Sequence, residues 1–258
     1  MKRLILGSVI AFFCVSILAA QTYRDGFYFA QDNGYTSNQK NQVVLQVQGG
    51  KITSASWNLL SLNAGSQDLK SIAKAGQVAG AVTWVNQAAV VEAFLVSSQN
   101  VNATSVDGVP ANFNVAPFFD LVKKALAGTA VAKGAYSKDG WYFSLAAGPD
   151  DYHTRNSVLI TIVNGTIVDV LWNGVLVGMP SNINPSKMIT SRNNQYPMTG
   201  ARSRWDQQAE ATALTLIQAQ NPDSLKVSAD GHADGISGVS MQIKPFLDVV
   251  KEALAQAR

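Results

Sequence analysis

The sequence predicts an α+β protein made of two tandem repeats, each an antiparallel β-meander packed with helices. Three observations carry this. Four segments recur in the same order, starting with YRDGFYFA (Tyr23–Ala30) and YSKDGWYFS (Tyr136–Ser144). Two stretches of β-branched alternation are each broken by a hairpin signal, Gly49-Gly50 and Asn164-Gly165. Each half then carries helical segments whose apolar residues recur at helical spacing. Strands followed by helices within one unit define the α+β class. Four matches in one order identify a duplication.

Taken in order, NQVVLQVQGGKITSASWN (Asn41–Asn58) returns as NSVLITIVNGTIVDVLWN (Asn156–Asn173), and both read as two strands around a tight turn. WVNQAAVVEAFL (Trp84–Leu95) returns as WDQQAEATALTL (Trp205–Leu216), too long and too rich in Ala and Leu for strands. PFFDLVKKAL (Pro117–Leu126) and PFLDVVKEAL (Pro245–Leu254) close the halves as helices with proline in the first turn. In the last, Phe246, Val249, Val250, Ala253 and Leu254 share one face. The glycine- and alanine-rich stretch 128–134 marks the boundary, giving repeats over residues 21–132 and 133–258.

Residues 1–20 have a basic head (Lys2, Arg3), a short apolar run and small residues Ala19 and Ala20 before Gln21, the layout of a secretory signal peptide. An uncleaved N-terminal anchor is the alternative. The expected location is extracytoplasmic, in the periplasm or cell envelope. The single cysteine, Cys14, lies inside this leader, so the mature chain has no disulfide or thiolate chemistry. Loss of Lys2 and Arg3 lowers the formal charge from +3 to +1, which gives nucleic acid no basic footprint. No later segment reads as a membrane span.

His153 and His232 fall in different halves with no metal-ligand spacing, and neither a Gly-x-Ser-x-Gly elbow nor a Walker-type phosphate loop occurs. No catalytic or metal site is therefore expected. The informative stretch is DGISGVS (Asp234–Ser240), immediately before the last helix. Its glycines, Gly235 and Gly238, permit a tight turn, Ser237 and Ser240 add hydroxyls, and successive N–H groups before a helix suit an anion such as phosphate. The competing reading is a capped loop that binds nothing. Its counterpart DGVPANF (Asp107–Phe113) lacks the second glycine and both hydroxyls. Trp57 and Trp172 recur as a pair, as do Trp84 and Trp205, and repeated tryptophans read as shared core. Lys187 and Arg192 could serve the phosphate or ring oxygens of a ligand, but on a polar loop such residues more often read as simply solvated.

These segments together resemble the extracytoplasmic FMN-binding domain family, which is related to the flavin-carrying subunits of sodium-pumping and Rnf-type redox complexes and to treponemal membrane immunogens. The resemblance lies in the opening Tyr-x-Asp-Gly pattern, the hairpin and the closing Asp-Gly-x-Ser-Gly loop, and it covers nearly all of the mature chain. It further includes Tyr196-Pro-Met198 and Trp205-Asp-Gln-Gln208. It implies an FMN site formed by Asp234, Gly235, Ser237, Gly238 and Ser240 with Trp205, Tyr196 and Met198. Ser240 stands where the family has a flavin-bearing threonine and Val239 where it has alanine, so non-covalent binding or none is expected ahead of esterification at Ser240. The implied partners are a membrane redox partner or a flavin transferase. The implied function is an electron carrier, not an enzyme on its own. The alternative is a non-catalytic envelope protein whose FMN-binding fold has decayed and serves structure or protein–protein contact.

Overall fold

A computed structural model describes residues 22–63, 67–76, 78–201 and 203–258. The predicted leader and Cys14 lie outside the described residues. The chain forms β1 (Gly26–Gln31), β2 (Gln39–Gln48), β3 (Lys51–Ser61), α1 (Leu69–Lys74), α2 (Ala79–Ser98) and α3 (Ala116–Ala127). A second series follows: β4 (Gly140–Leu145), β5 (Thr154–Val163), β6 (Thr166–Leu176), α4 (Lys187–Arg192), α5 (Trp205–Ala219), β7 (Lys226–Val227), β8 (Ala233–Asp234) and α6 (Lys244–Ala255). Both three-stranded sheets are antiparallel meanders, ordered β1-β2-β3 and β4-β5-β6, and β7 pairs with β8. The α+β class predicted from the sequence is the architecture observed.

The two halves agree in detail as well as in order. Each long hairpin slips register once, at Gln46/Val47 and at Thr161/Ile162, just before the turn. Each turn is held by the aspartate of the opening motif. Asp25 accepts from Gly49 N–H and Gly50 N–H at 3.0 and 2.9 Å, and Asp139 from Asn164 N–H and Gly165 N–H at 2.7 and 2.8 Å. The following tyrosine reaches back four residues, Tyr28 Oη to Arg24 O and Tyr142 Oη to Lys138 O. Gln99 and Gln220, left-handed residues at the ends of α2 and α5, clamp the second residues of β3 and β6 by bonding both backbone groups of Ile52 and Ile167. The opening Asp-Gly-x-Tyr pattern therefore has a structural role: it staples a hairpin.

Behind each sheet lies a core. Val43, Leu45, Trp57, Leu95 and Phe118 anchor the first, and Leu159, Ile160, Trp172, Leu216 and Phe246 the second. The α6 face predicted from helical spacing is wholly buried. Helix α2 differs from the expectation that no later segment is apolar enough to span a bilayer. An 18-residue window within its 20 residues has mean hydropathy 1.3, enough by length and composition. It nevertheless sends Ala88, Val91 and Leu95 into the first core, and its one charge, Glu92, bonds Trp57 N–H and Lys70 Nζ at 2.7 and 2.8 Å.

The halves meet through a buried polar seam. Asp169 on β6 accepts from Lys40 Nζ at 2.9 Å, Gln42 Nε2 at 2.7 Å and Gln31 Nε2 at 3.2 Å. Gln42 Oε1 in turn accepts from Trp141 Nε1 at 2.7 Å and Thr161 Oγ1 at 3.0 Å. Leu60 and Leu62, at the end of β3, pack into the second core. Short helices α1 and α4, the latter expected as a polar loop, start at buried N-caps. Asp68 accepts from Asn58 Nδ2, and Ser186 from Asn173 Nδ2.

Candidate functional site

In the second half the described residues enclose an open cavity of about 500 Å³, within the range typical of small-molecule sites. Its walls come from four places. Trp172 rises from β6 and Lys187 from the first turn of α4; Tyr196 and Met198 sit in the connection to α5, and Trp205 is the first residue of α5. Ser240 and Met241, between the Gly238 turn and α6, close the remaining side. Trp172 is fixed by a hydrogen bond from its Nε1 to Asn156 Oδ1 at 3.0 Å, by an edge contact with Trp205 at 5.3 Å and by stacking on Phe246 at 4.7 Å. Met198 packs against the same core.

Lys187 was expected to be solvated, and the structure corrects this: it is 4% exposed. The reason is that residues 187–192 form a helix whose first turn lies against β6 and α5, which the sequence gives no periodicity long enough to reveal. Its ammonium has no hydrogen-bond or ion-pair partner among the described residues. It lies 4.8 Å from the centre of the Tyr196 ring and 4.7 Å from that of Trp205. Those rings attract a cation but do not replace the hydrogen bonds that water gives it. Burial lowers the Lys187 pKa from 10.5 to about 8, with Asp150 acting in the opposite direction. Asp150 is itself engaged, accepting from the N–H groups of Tyr152 and Thr154 and from Asn156 Nδ2. Burial, aided by Asp150, raises the Tyr196 phenol above its ordinary value. At the edge of the cavity His232 Nδ1 stands 3.0 Å from Asp230 Oδ2. Hydrogen bonds from Ser228 and His232 lower the Asp230 carboxyl to about 2.

Of the eight residues expected at the site, Tyr196, Met198, Trp205 and Ser240 line the cavity. Asp234, Gly235, Ser237 and Gly238 do not. Asp234 pairs with Lys226 in the small sheet, and the two glycines take φ of +83° and +76°, so their part is to shape the turn. Ser240 N–H, one of the donors expected to cradle a phosphate, donates instead to Gln208 Oε1 at 2.8 Å. Arg192 lies away from this cavity, with its guanidinium 5.4 Å from the centre of the Tyr35 ring. No group of three or more His, Cys, Asp or Glu residues able to hold a metal occurs among the described residues.

Among the described residues of the first half, an aromatic ring packs at the equivalent place. Trp57 and Trp84 are in edge contact at 5.0 Å, as Trp172 and Trp205 are, but Phe113 packs on both at 5.7 and 6.4 Å. Phe113 belongs to the loop that corresponds to Ser240. The first residue of α1 is Leu69, where α4 begins with Lys187. One copy of the arrangement is thus filled with an aromatic ring, and the other is open over a buried amine.

No family model matches the chain, and no curated protein matches it. Two solved structures are similar to it over about half of its length. A protein of Clostridium thermocellum, solved by NMR in solution, is 34% identical over 47% of this chain and 92% of that one, with a TM-score of 0.37. A crystal structure of a Clostridium perfringens protein is 20% identical over 46% of this chain and 88% of that one, with a TM-score of 0.36.

Proposed function

We propose that the second half is an extracytoplasmic FMN-binding module of the electron-transfer type. The observation that carries this reading is the open cavity shared by Tyr196, Met198, Trp205 and Ser240, four residues drawn from separate parts of the sequence by the resemblance. Its chemistry fits the group. Aromatic faces suit a planar ring system, and an ammonium with no counter-ion suits a ligand carrying negative charge. Tyr196 and Trp205 would flank the ring, Lys187 would meet an electron-rich edge or the phosphate, and Ser240 Oγ would bond the phosphate. Bound FMN would supply reversible electron transfer, with a membrane redox partner as the source or acceptor. The first half, with Phe113 between its tryptophans, would serve as scaffold.

One observation favours a second reading, that of an envelope protein with a decayed site. Gln208 already takes Ser240 N–H, and the turn glycines Gly235 and Gly238 do not line the cavity. That loop would hold a phosphate only weakly.

The deciding experiment is titration of FMN with the mature protein, followed by fluorescence, and then acid precipitation of the complex. Quenching, with yellow colour released by acid, is the expected result. Tyr196→Ala should weaken binding by roughly tenfold, the scale of one aromatic contact. FMN fluorescence that is unchanged at any protein concentration would exclude the flavin reading and leave the envelope reading standing. Coexpression of the Ser240→Thr/Val239→Ala variant with a flavin transferase tests attachment separately, since threonine restores the acceptor the family uses.

A further inference from the structure

Lys187 invites a second kind of chemistry that does not rest on the FMN reading. Three features converge on it. Its side chain is almost wholly buried, yet it lines a cavity that opens to solvent. Its nitrogen has no hydrogen-bond or ion-pair partner among the described residues. Two aromatic rings lie within 5 Å of it, where they would hold a flat ligand against the amine. A lysine desolvated in an apolar pocket is an activated nucleophile, because its unprotonated lone pair becomes accessible near neutral pH.

We propose that Lys187 is a nucleophilic amine site that captures a planar aromatic aldehyde as an imine. The unprotonated Nζ attacks the carbonyl carbon and forms the C–N bond. Proton transfers from nitrogen to oxygen then let the carbonyl oxygen depart as water, leaving a C=N bond, with no oxidant or reductant consumed. Tyr196 and Trp205 bracket the aromatic ring, and Trp172 forms the back wall. The open mouth lets aldehyde enter and water leave. In the first half Leu69 occupies the equivalent place at the start of its helix and Phe113 fills the space, so that copy has neither the amine nor the room.

The lowered pKa supports the same conclusion. A fall from 10.5 to about 8 raises the unprotonated fraction near pH 7 by roughly 300-fold over an ordinary lysine. The titratable and charged groups around Lys187 are Asp150, Tyr152, Tyr196 and His232 at the cavity, with Asp206 on α5 held by Arg204 and Ser191. Of these, Asp150 is the one that acts on the ammonium.

The test uses pyridoxal 5′-phosphate as the aromatic aldehyde, and pyridoxal as its phosphate-free counterpart. Each is applied below stoichiometry at pH 7.5 to the mature protein. Borohydride then delivers hydride to the imine carbon and fixes the adduct as a secondary amine. Peptide mass mapping over time should show Lys187 labelled more than tenfold faster than the average of the other lysines, with both probes. Lys187→Arg, which keeps the charge but not the nucleophile, should lose that adduct while retaining the wild-type circular dichroism. Labelling of Lys187 no faster than the surface lysines overturns the proposal. So does fast labelling that persists in Lys187→Arg, because the reactive amine would then lie elsewhere.

Discussion

At the scale of single residues, burial without a partner is what distinguishes Lys187. Its folded pKa, about 8, lies below the unfolded value of 10.5. Below pH 8 both states bind the proton, and the folded state bears the cost of desolvating it. Between about 8 and 10.5 the unfolded state holds the proton that the folded state has released, so stability rises with pH across that window. Urea denaturation from pH 7 to 10.5 should show the wild type gaining up to about 3 kcal/mol relative to Lys187→Met. A constant difference between the two proteins would mean that Lys187 is hydrated and not confined. A different constraint governs Gly134. A Cβ there would collide with the carbonyl oxygen of Gly165, and the neighbour is backbone that cannot swing aside. Gly134→Ala should therefore destabilise the protein by about 2–3 kcal/mol, read from the shift in urea midpoint.

At the scale of elements, the repeated Asp-Gly pattern shows how a short motif acts through its neighbours. Asp25 is fully exposed, but the N–H groups of Gly50 and Gly49 hold its carboxyl below the ordinary value of 3.8. A depressed carboxyl contributes stability that is complete above the unfolded pKa and disappears as pH falls through the folded one. Asp25→Asn should therefore lower the melting temperature at pH 6, with the gap to wild type closing as the pH falls through and below the ordinary carboxylate value of 3.8. A gap that persists in acid would assign the role to the side chain's shape instead of its charge. Phe113 acts on the cluster formed by β3, α2 and its own loop. Phe113→Ala removes a half-buried ring between two tryptophans and should cost about 2 kcal/mol, with a red shift in tryptophan emission as water reaches Trp57 and Trp84. It should not create an amine site, because Leu69 remains where Lys187 would be needed.

At the scale of the whole molecule, the seam around Asp169 joins the halves. Asp169 is 6% exposed and Lys40 8%, and each belongs to a different half. Replacing both by apolar residues of matching shape need not weaken the protein, but removing one partner strands a buried charge. Asp169→Ala should cost about 3–5 kcal/mol, and denaturant unfolding followed by fluorescence and by circular dichroism shows whether the halves still melt together. Separate transitions in the variant, against one in the wild type, would identify this seam as the source of cooperativity between them.

Much of the fold could be read from the sequence because its causes are local. Hairpin turns need Gly49-Gly50 and Asn164-Gly165, helix starts accept Pro117 and Pro245, and the buried face of α6 follows from helical spacing. Of the eight residues named through the family resemblance, Tyr196, Met198, Trp205 and Ser240 line one cavity. Tertiary structure alone decided the rest. Helix α4 is six residues long, too short to have a pattern, so Lys187 gave no sign of burial until it packed against β6 and α5. Neither the Gln208–Ser240 bond nor the Phe113 plug follows from local sequence, since each joins segments far apart along the chain. The sequence by itself determined the two long hairpins, the long helices and the order in which they recur. Which copy keeps an opening, and which side chain waits at its floor, depended on long-range packing that no local window contains.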